Sequence, residues 1–245
     1  MGDFGAIAVA LVSAAGFLGA GLLLFSGIEA ASGLRPYAAP VAAGILIALA
    51  FGDVFPEALE ASAPRAILGF AIAFSLLYLV ETLTHSAGHD AVHAPARMHE
   101  LVAMVSGLAV HNIADGVALG AGGELSGATA SLLGLGVLIH QVPVGLSFAA
   151  LLISIGIPRS QATPALAGMA LLIPLATALT RLLPVGSPAA LGTLLGASAG
   201  LLVYIGAAHL LPEVEANRHN RNAALAFVAT LLAMTIVSVT FLGHA

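Results

Sequence analysis

Eight long apolar segments constrain what this chain can fold into. They lie near residues 4–28, 36–60, 65–84, 99–121, 127–155, 161–183, 188–214 and 222–243. A helix needs about 20 consecutive apolar residues to cross a bilayer, where its backbone polar groups must bond within the segment. Each segment meets that length. The connections are short and punctuated by Arg35-Pro36, Pro64-Arg65, Pro158-Arg159 and Gly186-Ser187-Pro188. The pattern predicts an all-α, polytopic integral membrane protein with eight transmembrane helices, as a single domain over residues 1–245. Composition agrees, since only 8% of residues are charged where a soluble domain carries about a quarter.

Several function classes fall away at once. The seven basic residues are all scattered arginines, so there is no patch for nucleic acid. No cysteine is present, which excludes disulfides, thiolate metal sites and a cysteine nucleophile. Without lysine there is no Walker-type loop for ATP. The first apolar run has no positive residues before it, so it reads as a retained helix and not a cleaved signal.

Arginine placement sets an orientation. Loops one, three, five and seven hold Arg35, Arg97, Arg159, Arg218 and Arg221, the even loops hold Arg65, and Arg181 ends helix six. The excess marks the odd loops as cytoplasmic and puts both termini outside. Helices two and seven then run in opposite directions, and they carry similar sequences. Gly44 to Glu57 reads GILIALAFGDVFPE, and Gly200 to Glu213 reads GLLVYIGAAHLLPE. This predicts an inverted repeat relating helices 1–3 to helices 6–8, an architecture that gathers substrate sites between its halves.

The polar residues inside these helices are few and grouped. His111-Asn112-Ile113-Ala114-Asp115-Gly116 lies in the fourth segment, and the four-residue spacing puts His111 and Asp115 on one helix face. His140-Gln141-Val142-Pro143-Val144-Gly145 lies in the fifth. Both histidines fall about a dozen residues into their helices, near the bilayer midplane, where ionisable groups are costly and usually functional. Imidazole nitrogen and carboxylate oxygen suit zinc and its first-row neighbours. Pro143 lacks an N–H and should free the carbonyl of Ile139, one residue before His140. Asp53 and Glu57 fall towards the outer end of helix two, His209 and Glu213 towards the inner end of helix seven. Together these groups form a ladder of modest cation sites along the membrane normal. His85, His89, His93 and His99 populate the third loop, around residues 85–98, and three of them recur at every fourth residue. The Gly116–Gly120 and Gly192–Gly200 stretches read as close-packing surfaces.

At these residues the chain resembles the ZIP (Zrt/Irt-like) family of divalent-metal transporters, prokaryotic type. The family's His-Asn-x-x-Asp/Glu-Gly motif on its fourth helix is matched by His111, Asn112, Asp115 and Gly116. Its fifth-helix His-Glu-x-Pro-Glu-Gly is matched at His140, Pro143 and Gly145, with Gln141 and Val144 where acidic residues are usual. The resemblance implies a transporter and not an enzyme, with zinc as substrate and no prosthetic group. It also implies a homodimer in a bacterial inner membrane and a histidine loop that receives metal on the cytoplasmic side. A four-helix unit (one, four, five and six) would slide against the other four. Because Val144 cannot ligate and Gln141 is uncharged, we expect one metal centre, held by His111, Asp115 and His140 and completed by Asn112 or Gln141 and water. Asp53 and Glu57 would line the entrance, and His209 and Glu213 the exit. Iron, manganese or cadmium are the alternative substrates. The alternative functions are an intramembrane zinc hydrolase, although His-Glu-x-x-His is absent, and a sensor that binds metal without conducting it.

Overall fold

A computed structural model describes residues 3–30, 36–86, 95–121, 127–182, 187–212 and 221–242. Among them every regular element is helical. The elements are α1 (Asp3–Ala30), α2 (Ala38–Leu49), α3 (Phe55–Ser86), α4 (Pro95–Ala121), α5 (Gly127–Ser154), α6 (Arg159–Leu182), α7 (Pro188–Tyr204) and α8 (Arg221–Val237). Wider, π-helical turns extend three of them: Ala50–Val54 joins α2 to α3, Ile205–Leu210 follows α7, and Ser238–Leu242 follows α8. Six stretches of described helix are long and apolar enough to cross a membrane. One of these, Ala38–Val80, is 43 residues long, about twice a single crossing.

The expected break between the second and third segments is smaller than a loop. It is a kink between two helical stretches at which Ser62 alone leaves helical geometry, with φ −169° and ψ 95°. Pro64 follows two residues later, in the first turn after the corner, where a missing N–H costs nothing. Other ends follow ordinary rules. Ser187 Oγ accepts from the Ala190 N–H at 3.2 Å, with Pro188 opening α7. Gly156, at φ 82°, closes α5, its N–H bonding Ile153 O while Ile157 N–H reaches back to Leu152 O. Pro143 does not break α5, which runs continuously through it.

The turns in the repeated stretches correspond. Phe55 N–H bonds the carbonyl of Ala50, and Leu211 N–H bonds that of Gly206, each five residues back. Phe55 aligns with Leu211, and Ala50 with Gly206, when Gly44–Glu57 is laid over Gly200–Glu213. Both turns stand just before a proline, Pro56 or Pro212, whose ring would clash with the carbonyl four residues earlier. Widening the turn relieves that clash. Such single-turn π bulges concentrate at functional sites.

Lipid gives helices no hydrophobic reason to associate, so small residues that allow close van der Waals approach matter most. Leu225, Leu232 and Ile236 on α8 and Leu171, Leu175 and Leu179 on α6 are exposed, as lipid-facing stripes should be. Glycines mark where backbones touch. A Cβ at Gly145 would fall on the Phe17 backbone, one at Gly116 on Ile173 O and Ala176, and one at Gly196 on the Ala66 backbone. Gly44 meets the backbone of Phe227 and Leu231 in the same way. These approaches pair α5 with α1, α4 with α6, α7 with α3 and α2 with α8. Gly21 against Leu166 then links α1 to α6, and Gly206 against Ile47 links the extension of α7 to α2, giving one set of α1, α4, α5 and α6 and another of α2, α3, α7 and α8. The sets meet through α2 against α5 and α4 against α7. At that seam the atoms nearest a Cβ at Gly107 belong to the side chains of Ile205 and Leu201.

This packing predicts opposite outcomes for two similar substitutions. Gly145→Ala should lower the melting temperature in detergent, since overpacking costs about 1–3 kcal/mol. Gly168→Ala meets nothing within 4 Å and should be neutral or stabilising, because alanine outranks glycine in a helix by about 1 kcal/mol. Differential scanning fluorimetry of the purified variants would distinguish them.

Candidate metal centre

The four-residue spacing on α4 brings His111 and Asp115 to one face, and α5 presents His140 and Gln141 opposite. All four are buried. Asp115 Oδ2 is the shared atom. His140 Nε2 lies 2.8 Å from it, Gln141 Nε2 donates to it, and His111 Nε2 stands 3.5 Å away. The two imidazole rings are 5.6 Å apart, centre to centre. One ligand atom each from His111, Asp115 and His140 falls within a common 4.8 Å.

Two neighbours extend the cluster across the seam. Asp53, buried in the turn that joins α2 to α3, places Oδ2 2.7 Å from His140 Nδ1. The pair is close but not aligned as a hydrogen bond, and both atoms are left without a hydrogen-bond partner. Glu57, one turn further on and half-buried, is within electrostatic reach of Asp53, Asp115 and His140. On the other side Ser198 of α7 stands 3.1 Å from His111 Nδ1.

Unsatisfied groups are concentrated here. Among the described residues seven buried side-chain nitrogens and oxygens lack a partner, and five belong to Asp53, His111, Asn112, His140 and Gln141. Buried polar atoms are normally paired, so a group of orphans calls for a missing species. The carboxamides are oriented consistently with a cation. Asn112 donates its Nδ2 to Met169 O at 2.9 Å and Gln141 donates to Asp115, so Asn112 Oδ1 and Gln141 Oε1 remain free. Ligands on a tetrahedral zinc sit about 3.3 Å apart, given zinc–ligand bonds of about 2.0–2.2 Å. The His111–Asp115 separation already fits that spacing. His140 and Asp115 are at hydrogen-bond distance and would have to part slightly to admit an ion.

The remaining sequence-derived candidates are more dispersed. His209 lies in Ile205–Leu210, His85 near the end of α3 and His99 near the start of α4. Glu213, His89 and His93 lie outside the described residues. Val144 is fully buried within the apolar core. Two relations were not apparent from sequence. Asp53, expected at the entrance, touches the same histidine as Asp115. Ser198 lies in the Gly192–Gly200 stretch expected only to pack, and the one available signal is a hydroxyl set between alanines and glycines in Gly196–Gly200.

Comparison with known proteins points the same way. The ZIP zinc transporter family profile matches residues 93–240. Zinc transporter ZIP9-B of Xenopus laevis is 29% identical over 195 residues, covering 73% of this chain and 64% of that protein. Zinc transporter ZIP9 of Micropogonias undulatus is 28% identical over 204 residues, covering 74% and 65%. The chain thus spans slightly less than two thirds of the length of these relatives. With buried His111-Asn112-x-x-Asp115-Gly116 facing His140 and Gln141, and a profile match over more than half its length, the chain belongs to the ZIP zinc transporter family.

Proposed function

We propose that this protein carries zinc across the membrane into the cytoplasm through one centre near the bilayer midplane. His111, Asp115 and His140 hold the ion, with Gln141 Oε1 or Asn112 Oδ1 and water completing the shell. The observation that carries this reading is the convergence of buried ligand atoms from His111, Asp115 and His140 within 4.8 Å, with His111 Nε2, Asn112 Oδ1 and Gln141 Oε1 left without hydrogen-bond partners. Val144, packed in the core, supports a single ion, because α5 then offers no second carboxylate. Asp53 adds charge beside the centre, so a dication meets two nearby carboxylates and not one.

The wider architecture follows the same reading. The chain forms one transmembrane domain of eight crossings, the kink at Ser62 dividing Ala38–Val80 into two. The register-matched turns before Pro56 and Pro212 support an inverted repeat. Asp53 and Glu57 line the entrance, His209 and Glu213 the exit, and His85, His89, His93 and His99 receive metal on the cytoplasmic face. Both termini are outside, and the protein works as a homodimer in a bacterial inner membrane. Transport proceeds by movement of α1, α4, α5 and α6 against α2, α3, α7 and α8. Glycine contacts within each set and side chains at the seam support that division.

The test is zinc influx into proteoliposomes that contain a trapped zinc-sensitive fluorophore. Wild type should load zinc, and His111→Ala should not. Zinc bound in detergent without flux would replace the transporter by a sensor. Zinc-dependent hydrolysis without flux would replace it by an enzyme.

A further inference from the structure

We propose that Ser198 on α7 is a positioning residue that commits His111 to binding metal through Nε2. The inference rests on His111 being a ligand, as proposed above. His111 and Ser198 are both fully buried, and Ser198 Oγ lies 3.1 Å from Nδ1, while Nε2 has no hydrogen-bond partner. When Nε2 binds an ion, the ring's single proton must sit on Nδ1, in an interior where an unpaired N–H is costly. Ser198 Oγ is the acceptor the fold supplies. In the metal-free ring the hydroxyl can accept from Nδ1–H or donate to a bare Nδ1, and the choice between them is set at the other nitrogen. A proton on Nε2 would instead face Asp115 Oδ2, which already lies against His140 and Gln141 and is not aligned to accept it.

The local structure explains why this hydroxyl is available. Thr177, Thr180, Thr193 and Thr230 return their hydroxyls to the carbonyl four residues back in their own helices. Ser198 reaches another helix instead. Gly196 and Gly200, two residues to either side, press against the backbone of Ala66 and Phe70 on α3. A two-residue step turns about 200° around a helix, so Ser198 points away from α3 and towards α4. The glycines therefore fix the height at which the hydroxyl meets the imidazole.

Partners that orient a metal-binding histidine are typically worth 10–100-fold in affinity. Zinc titration in detergent should show Ser198→Ala weakened by about 10–100-fold, with Ser198→Thr, which keeps the hydroxyl, largely restored. Packing alone would not move the second readout. In metal-free protein carrying ¹⁵N-histidine, His111 should hold its proton on Nδ1 in wild type and become a tautomer mixture in Ser198→Ala. A proton on Nε2 in wild type, or an unchanged Nδ1 tautomer in the alanine variant, would overturn the proposal, whatever the affinity does. If His111→Ala leaves zinc affinity intact, the ligand assignment fails instead, and the tautomer result still reports on Ser198 separately.

Discussion

Asp115→Asn should abolish zinc flux in proteoliposomes and lower zinc affinity in detergent by about 100-fold or more, beyond the usual effect of a supporting residue. Its Oδ2 is the point on which His140, Gln141 and His111 converge, so no other single atom touches as much of the centre. Asparagine keeps the shape and one accepting oxygen but removes the charge that offsets a dication in a medium of low dielectric. The metal-free fold should survive, because the amide oxygen still accepts from Gln141 or His140. A melting temperature in chelator within a few degrees of wild type would confirm that the loss lies in binding. Unchanged affinity would shift the anionic role to Asp53, the other carboxylate against His140. Asp53→Asn would then have to show the large effect.

Much of this arrangement was legible in the sequence because its causes are local. Apolar length alone located most of the helices to within a few residues, as with α4 starting at Pro95 and not near residue 99, but not the join of the second and third segments, where α3 begins at Phe55 and not near residue 65. The four-residue spacing of His111 and Asp115 dictated a shared face before any partner was known. What stayed hidden depends on how far one helix stands along another. Asp53 was expected near the outer end of its helix, apart from the centre. The widened turn ahead of Pro56 and the packing of α2 on α5 also place it against His140. Ser198 was hidden for the same reason, since a serine in Gly-Ala-Ser-Ala-Gly carries no period or motif that names its partner. The paired wide turns show a third kind of limit. The Pro-Glu endings pointed to a repeat, but a switch from four- to five-residue bonding is a backbone response that residue pattern does not display.

The seam between the two helix sets gives the second large expectation. A Cβ built at Gly107 on α4 lies 3.4 Å from Leu201 Cβ on α7. Disulfides bridge Cβ atoms about 3.5–4.5 Å apart, so Gly107→Cys with Leu201→Cys should cross-link the two sets once the tip of the Ile205 side chain, 2.6 Å from the new Cβ, turns aside. The native chain has no cysteine, so no competing thiol complicates the pairing. Once oxidised, the double variant should bind zinc near wild-type affinity, since neither residue belongs to the centre, yet zinc flux should fall to the background of empty liposomes. Reduction should restore it. The contrast isolates motion from binding: a fixed channel through the centre would conduct in either redox state, whereas a carrier whose α4 must travel along α7 would conduct only when reduced. Flux that survives complete cross-linking, verified by mass spectrometry of the oxidised peptide pair, would mean that α4 and α7 stay in register throughout transport. The ion would then have to pass His111 and Asp115 by local rearrangement of side chains, and the division of the helices into two sets would describe packing alone.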